Sequence, residues 1–182
     1  MWMNRAKYCP VCGEPLEEAP VAGRQRLRCV PCRVVLYANP ASAAAGLVLD
    51  EARRVLLIRR AIEPFRGAWA LPAGYQEIDE SPTDTVRREV REETGLEIEP
   101  LRLVDLIHIP DDPRKPANLS VYLCRSLGGE LRAADDACEV AWFGQGELPL
   151  EIGFGNRERI LLPLFRRLEE GSLDLRPDPG LA

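Results

Sequence analysis

The chain has no long hydrophobic run. Its longest small-apolar stretch, roughly residues 41–49, is well short of the ~18 residues a membrane span requires. Residues 1–10 hold no apolar core of the kind a secretory leader carries, so a cytoplasmic protein without a membrane partner is expected. Positive charge is not in excess either. The 24 Lys and Arg stand against 29 Asp and Glu, a formal net charge of −5, which argues against general nucleic-acid affinity through bulk charge. Internal repeats and low-complexity tracts are missing, and the 46% hydrophobic and 29% charged shares are those of a globular chain. At 182 residues, and roughly 150 per domain, one core domain with a small appendage is expected.

The charge that is present is unevenly placed. Residues 1–40 carry six basic side chains (Arg5, Lys7, Arg24, Arg26, Arg28 and Arg33) and three acidic ones, whereas the rest carries 18 basic and 26 acidic. The same forty residues hold Cys9, Cys12, Cys29 and Cys32 in a C-x2-C-x16-C-x2-C pattern. Each C-x2-C turn points two thiolates at one place, and two such knuckles complete a tetrahedral sulfur shell for Zn²⁺. A segment this short cannot bury enough apolar surface to fold alone, so the metal supplies stability. Four thiolates leave no open coordination position, so this zinc is structural. With the ion bound they add about −2 to the module, which weakens any grip on nucleic acid. The expected domains are a zinc ribbon over 1–38, a larger domain over 39–171 and a loose tail over 172–182.

In the larger domain, residues 42–49 and 54–60 read as two strands of a hairpin joined at residues 50–53. Residues 63–67 form a loop and 69–72 a short extended piece. Ser81 and Pro82 open a helix as N-cap and first helical residue, and Gly95 stops it after Thr94. Strands follow at about 101–109, 119–125 and 139–143, and apolar spacing predicts a second helix over 157–170. Strands interleaved with two helices imply an α/β or α+β sandwich. Cys124 and Cys138 read as buried thiols, and Asp135 and Asp136 as solvated turn residues.

The most informative stretch runs from Gly74 to Leu96. At 100° per residue, Glu89, Glu92 and Glu93 share one face of the helix. Like charges so placed repel, and the cluster destabilises the helix unless a cation sits among them. Hard oxygen ligands in an incomplete shell suit Mg²⁺ or Mn²⁺. Arg88 stands four residues before Glu92 and can hold a carboxylate in place. A solvated charged face is the ordinary fate of a Glu-rich helix. Here, however, Gly74, Glu80, Arg88, Glu89, Val90, Glu92, Glu93, Gly95 and Leu96 fill every defined position of G-x5-E-x7-R-E-U-x-E-E-x-G-U, with U aliphatic.

That pattern is the Nudix box, and the chain resembles a Nudix hydrolase over roughly residues 40–170. The resemblance implies an α/β/α sandwich with a mixed sheet, here preceded by the ribbon. It also implies metal-dependent hydrolysis of a nucleoside diphosphate linked to another group, by water attack on a phosphorus of the pyrophosphate. In the family the residues matching Glu89, Glu92 and Glu93 hold the divalent ions, with a backbone carbonyl near Ala73 or Gly74. Glu80 and Arg88 then act as the supporting pair that orients the box. The general base is either Glu89 or a glutamate beyond the box, for which Glu139 is the candidate.

A ribbon fused before a Nudix domain resembles two groups, the NADH pyrophosphatases and a set that includes ADP-ribose and FAD pyrophosphatases. The chain lacks the Ser-Gln-Pro-Trp-Pro-Phe-Pro segment that the first group carries after the box, and Pro110 lies near a position where ADP-ribose hydrolases place a proline. The resemblance therefore implies AMP release from ADP-ribose or FAD, and a homodimer. Alternatives are an NADH pyrophosphatase, a sanitiser of oxidised nucleoside triphosphates such as 8-oxo-dNTPs, and a non-catalytic nucleotide sensor whose ribbon binds a partner. Candidate substrate contacts are Arg59, Arg60 and Arg66 for phosphate, and Trp69, His108, Tyr37 and Phe154 for the base. Arg59 and Arg60 alternate in a strand, so at most one can face the site.

Overall fold

The computed structural model describes residues 6–110, 112 and 115–181. The chain folds as two compact units, residues 1–40 with 110–116 and residues 41–109 with 117–182.

In the first unit, β1 (Glu17–Val21) and β2 (Arg24–Arg28) form an antiparallel hairpin between the two cysteine knuckles. Its turn is Ala22–Gly23, both at positive φ. Arg26 lies over the ring of Tyr37, with its guanidinium carbon 4.6 Å from the centroid.

The second unit is built on a seven-stranded mixed sheet. Its strands are β3 (Ala41–Leu49), β4 (Val55–Arg60), β5 (Trp69–Ala70), β6 (Ala73–Tyr75), β7 (Leu96–Ile109), β8 (Ala117–Gly129) and β9 (Ala137–Phe143). β3 pairs with β8 in parallel and with β6 antiparallel; β7 pairs with β8, and β5 and β9 with β4, all antiparallel. Alternation along β3 sends side chains to two cores. Ala43, Ala45 and Leu47 join Leu164, Phe165 and Leu168 of α2 (Leu162–Glu169), while Ala44 and Val48 join Val86 and Val90 of α1 (Pro82–Thr94). The sheet therefore lies between the two helices, the α/β sandwich expected. At Gly46 a Cβ would stand 2.6 Å from Val90 Cγ2 and 3.2 Å from Val86 Cγ2, so only glycine allows α1 this close to β3.

Helix α1 has the predicted bounds because its ends carry complete signals. Ser81 accepts from the Asp84 N–H, Asp84 accepts from the Ser81 N–H, and Gly95 takes the left-handed conformation at φ 74.

Several expectations change. The hairpin of β3 and β4 is joined by a single ladder pair, Leu49↔Val55, after which β4 leaves to pair with β5 and β9. β6 takes the place beside the first half of β3. β7 and β8 are longer than predicted and absorb Pro100 at a register shift. The second helix begins as a π-helical turn over Arg157–Leu161, where the Leu162 N–H reaches the Arg157 carbonyl. Pro163, which has no N–H to donate, follows at once. The tail, expected to be loose, is tied to β7: the Asp178 N–H donates to the Leu101 carbonyl at 2.6 Å and Arg102 donates to the Arg176 carbonyl. Cys124 is buried as expected, but Cys138 is exposed, since β9 turns it outward. Among the described residues no helix is long and apolar enough to cross a membrane.

Candidate active site

β6 and α1 bring the box together. Gly74 stands opposite Ala44 of β3, and a Cβ there would fall inside the Glu89 carboxylate. One turn further on, Glu93 is 2% exposed, and its Oε2 accepts from the Ala73 N–H at 3.1 Å. Glu89 is 9% exposed, while Glu92 stands at the open side of the helix.

Arg88 is the hub. Its Nε and Nη2 donate to the two carboxylate oxygens of Glu80 at 2.5 and 3.0 Å, and Nη2 also reaches the Tyr75 carbonyl at 3.1 Å. Nη1 donates to Glu89 at 2.7 Å and to Glu92 at 3.1 Å. Glu80 also accepts from the Thr85 hydroxyl and the Glu77 N–H. The Arg88 hydrogen bonds, with these two, hold the Glu80 carboxyl down to about 2. Burial, and then the neighbouring Glu89 charge, pushes Glu93 up to about 9, and burial also raises Glu89.

Such a pair of carboxylates is costly unless a cation compensates it. Hard oxygens on Glu89, Glu92 and Glu93 are of the kind a divalent ion that keeps waters of its own takes. The donor type is therefore that of a divalent-cation site, although the three carboxylates do not gather at one point as the cysteine sulfurs of the first unit do. Asp135 and Asp136, expected to be solvated turn residues, do lie in the turn before β9, but their charges also raise Glu89 and Glu93 respectively. Nothing in the spacing along the chain signals this. It arises because Ala134 donates its N–H to the Glu93 carbonyl and brings the turn against the end of α1.

The other candidates scatter. Glu139, opposite Arg59 in the β4–β9 ladder, accepts from Arg59 Nη1 at 3.3 Å, and both side chains are about half exposed. Arg59 also donates to the Gly67 carbonyl, whereas its neighbour Arg60 is buried, so the two do alternate. Arg66 is exposed. Trp69 is half-buried and meets the Phe143 ring edge to face at 4.7 Å. His108 is exposed on β7, where its Nδ1 bonds Asn118 Oδ1 on β8 at 2.8 Å.

In the first unit the four cysteine sulfurs lie within 4.8 Å of one another, the one such cluster of three or more metal-ligating groups among the described residues. Cys9–Cys32 and Cys12–Cys29 are 3.4 Å apart and Cys12–Cys32 3.6 Å, too far for disulfides and near the ~3.8 Å edge of a tetrahedron with Zn–S bonds of about 2.3 Å. Hydrogen bonding from backbone N–H groups, that of Cys12 first, brings the Cys9 thiol down to about 6.

Over residues 39–165 the sequence matches the profile of the NUDIX domain. The chain belongs to the Nudix family. This Nudix chain is 40% identical over 132 residues to an ADP-ribose pyrophosphatase of Methanocaldococcus jannaschii, covering 72% of its own length and 76% of that relative. It is 29% identical over 170 residues to the NAD-capped RNA hydrolase NudC of Pseudomonas fluorescens, covering 92% of itself and 59% of the relative. The crystal structure of a NUDIX hydrolase from Nitrosomonas europaea superposes with a TM-score of 0.77 at 29% identity, covering 91% of this chain and 92% of that one. As a family member with an intact box, the protein is a Nudix-type pyrophosphohydrolase.

Proposed function

We propose that the protein hydrolyses the pyrophosphate of ADP-ribose or FAD and releases AMP, with Mg²⁺ or Mn²⁺ held by Glu89, Glu92, Glu93 and the carbonyls of Ala73 and Gly74. The cation site is supported by Glu93, a buried carboxyl bonded by the Ala73 N–H beside the buried Glu89, and the substrate class by the 40% identity to an ADP-ribose pyrophosphatase. An ion held there would polarise a phosphoryl oxygen and lower the pKa of the attacking water. Glu89 accepts the proton of that water as it attacks phosphorus and the bridging P–O bond breaks. Both carboxylates face an arginine, Glu89 at 2.7 Å from Arg88 and Glu139 at 3.3 Å from Arg59, and the ground for Glu89 is its burial, which raises its basicity, whereas Glu139 is about half exposed. Arg88 and Glu80 act as positioning residues, fixing the helix to the loop at Tyr75 and Glu77. Arg59 and Arg66 are the proposed phosphate contacts, and Trp69 and His108 flank the substrate.

The same proposal takes residues 1–38 as a structural zinc ribbon and the protein as a homodimer. A second reading, hydrolysis of NADH or an NAD-capped end, is favoured by one observation: the match to the pseudomonad relative extends over 92% of the chain.

The deciding experiment compares ADP-ribose, FAD, NADH and 8-oxo-dGTP by kcat/KM with Mn²⁺, and identifies the products. Preferred release of AMP from ADP-ribose or FAD is expected. Preference for NADH supports the second reading, and pyrophosphate from 8-oxo-dGTP as the main product overturns both.

A further inference from the structure

Two bulky residues of the second unit sit in a backbone conformation that favours glycine. Phe65 has φ 62 and Phe154 φ 59, although neither has the small polar side chain that normally tolerates the left-handed region. They come from loops almost ninety residues apart, yet their rings meet edge to face at 4.7 Å. Strain of this kind persists only where surrounding structure enforces it, and it gathers at ligand sites.

The enforcement is visible on both sides. The loop of Phe65 is closed by hydrogen bonds from Arg60 N to the Ala68 carbonyl, Gly67 N to the Arg60 carbonyl and Ala68 N to the Phe65 carbonyl. The loop of Phe154 is fixed by the Trp69↔Ile152 bridge and by the Trp69 N–H donating to the Glu151 carbonyl. At Gly153 a Cβ would stand 3.1 Å from Phe65 Cβ, so glycine there lets the loops close. Arg60 donates to the Pro64 carbonyl at 2.7 Å and holds its guanidinium 5.2 Å from the centre of the Phe154 ring. Even so, Phe65 remains 47% exposed. An aromatic ring held at a cost and left open is unexplained by packing. The first residue of its loop, Ala61, donates its N–H to the carbonyl of Asp136, in the turn whose Ala134 N–H donates to the main-chain carbonyl of Glu93 at the end of α1.

We propose that Phe65, braced by Phe154, is the stacking platform for the adenine base of the nucleotide substrate. Arg60, at the start of the same loop, holds its cation over the bracing Phe154 ring. This rests on the pyrophosphatase assignment above for its substrate, but the platform itself is testable by binding alone.

The test uses the full chain loaded with Mn²⁺. AMP binding is measured by calorimetry, ADP-ribose hydrolysis by kcat and KM, and stability by Tm, for wild type, Phe65→Asn and Phe65→Tyr. Asparagine tolerates the left-handed backbone and removes the ring, while tyrosine keeps the ring. For Phe65→Asn, Kd for AMP and KM for ADP-ribose are expected to rise about tenfold, the scale of one lost base-aromatic stack. Tm should hold or rise, and Phe65→Tyr should restore affinity. Kd and KM within twofold of wild type in Phe65→Asn would overturn the platform even if hydrolysis is fast. Absence of AMP binding to the wild type would overturn it too. Tenfold weaker AMP binding in Phe65→Asn without ADP-ribose turnover in the wild type supports the platform and sinks the proposed activity instead.

Discussion

Gly74 and Glu89 occupy one place between them: the space a Cβ would take at residue 74 is filled by the carboxylate of residue 89. Gly74→Ala must therefore displace Glu89 or break the β3–β6 pairing at Ala44. We expect kcat to fall at least tenfold, equivalent to about 1.4 kcal/mol of barrier, with a raised Mn²⁺ requirement and an unchanged far-UV spectrum. Full activity in Gly74→Ala would show that the close approach is not needed for turnover.

Removing a carboxylate should abolish turnover while leaving the fold intact. For Glu93→Gln and Glu92→Gln we expect less than about a tenth of the wild-type rate, since a lost metal ligand costs far more than the ~1.4 kcal/mol of a tenfold loss. Near-normal rates would refute the metal assignment.

Glu93 also makes metal binding depend on pH. Its carboxyl is raised from 4.5 to about 9 in the metal-free protein, so the folded state holds its proton more tightly than the unfolded chain does. The stability this contributes is complete below about 4.5 and is lost progressively as pH rises toward 9. At about pH 7.5 a divalent ion must displace that proton. Calorimetric titration with Mn²⁺ in two buffers of different ionisation enthalpy should show proton release, and Glu93→Gln should release about one proton fewer.

Arg88 and Glu80 give the opposite sign. Glu80 is lowered from 4.5 to about 2, so its contribution is present above about 4.5 and lost as pH falls toward 2. Lysine cannot reproduce the forked contacts to Glu80, Tyr75, Glu89 and Glu92. Arg88→Lys should cost about 2–3 kcal/mol in urea unfolding near neutral pH, with the gap to wild type narrowing below about pH 4.5. A gap independent of pH would mean that the pair is not the source of the loss.

Zinc should be found at one ion per chain by atomic absorption, and Cys29→Ser should bind it weakly or not at all. Removing the ion from wild type with a chelator should abolish protection of residues 6–40 against proteolysis. Unchanged protection after complete zinc loss would argue that the hairpin of β1 and β2 holds the unit without metal.

Much of this molecule was written in local order. The caps of α1 are legible because Ser81, Asp84 and Gly95 act within a turn of the residues they serve, and the box and the knuckles are legible because helix period and chelate spacing are short-range constraints. The same locality makes the shared face of Glu89, Glu92 and Glu93 readable without a structure. What the sequence could not determine depends on which distant segments meet. The departure of β4 from β3, the turn of Asp135 and Asp136 against Glu93, the pairing of Glu139 with Arg59 and the tail drawn onto β7 each join residues far apart in the chain. Exposure followed the same division: Cys138 and Phe65 carry ordinary core side chains, and only the packing of the sheet and its loops left them open to solvent. Local chemistry thus chose the helix, its acidic face and the cysteine knuckles, while tertiary contacts, whose partners no short-range pattern encodes, decided which charges press on the carboxylates and which rings stay open to solvent.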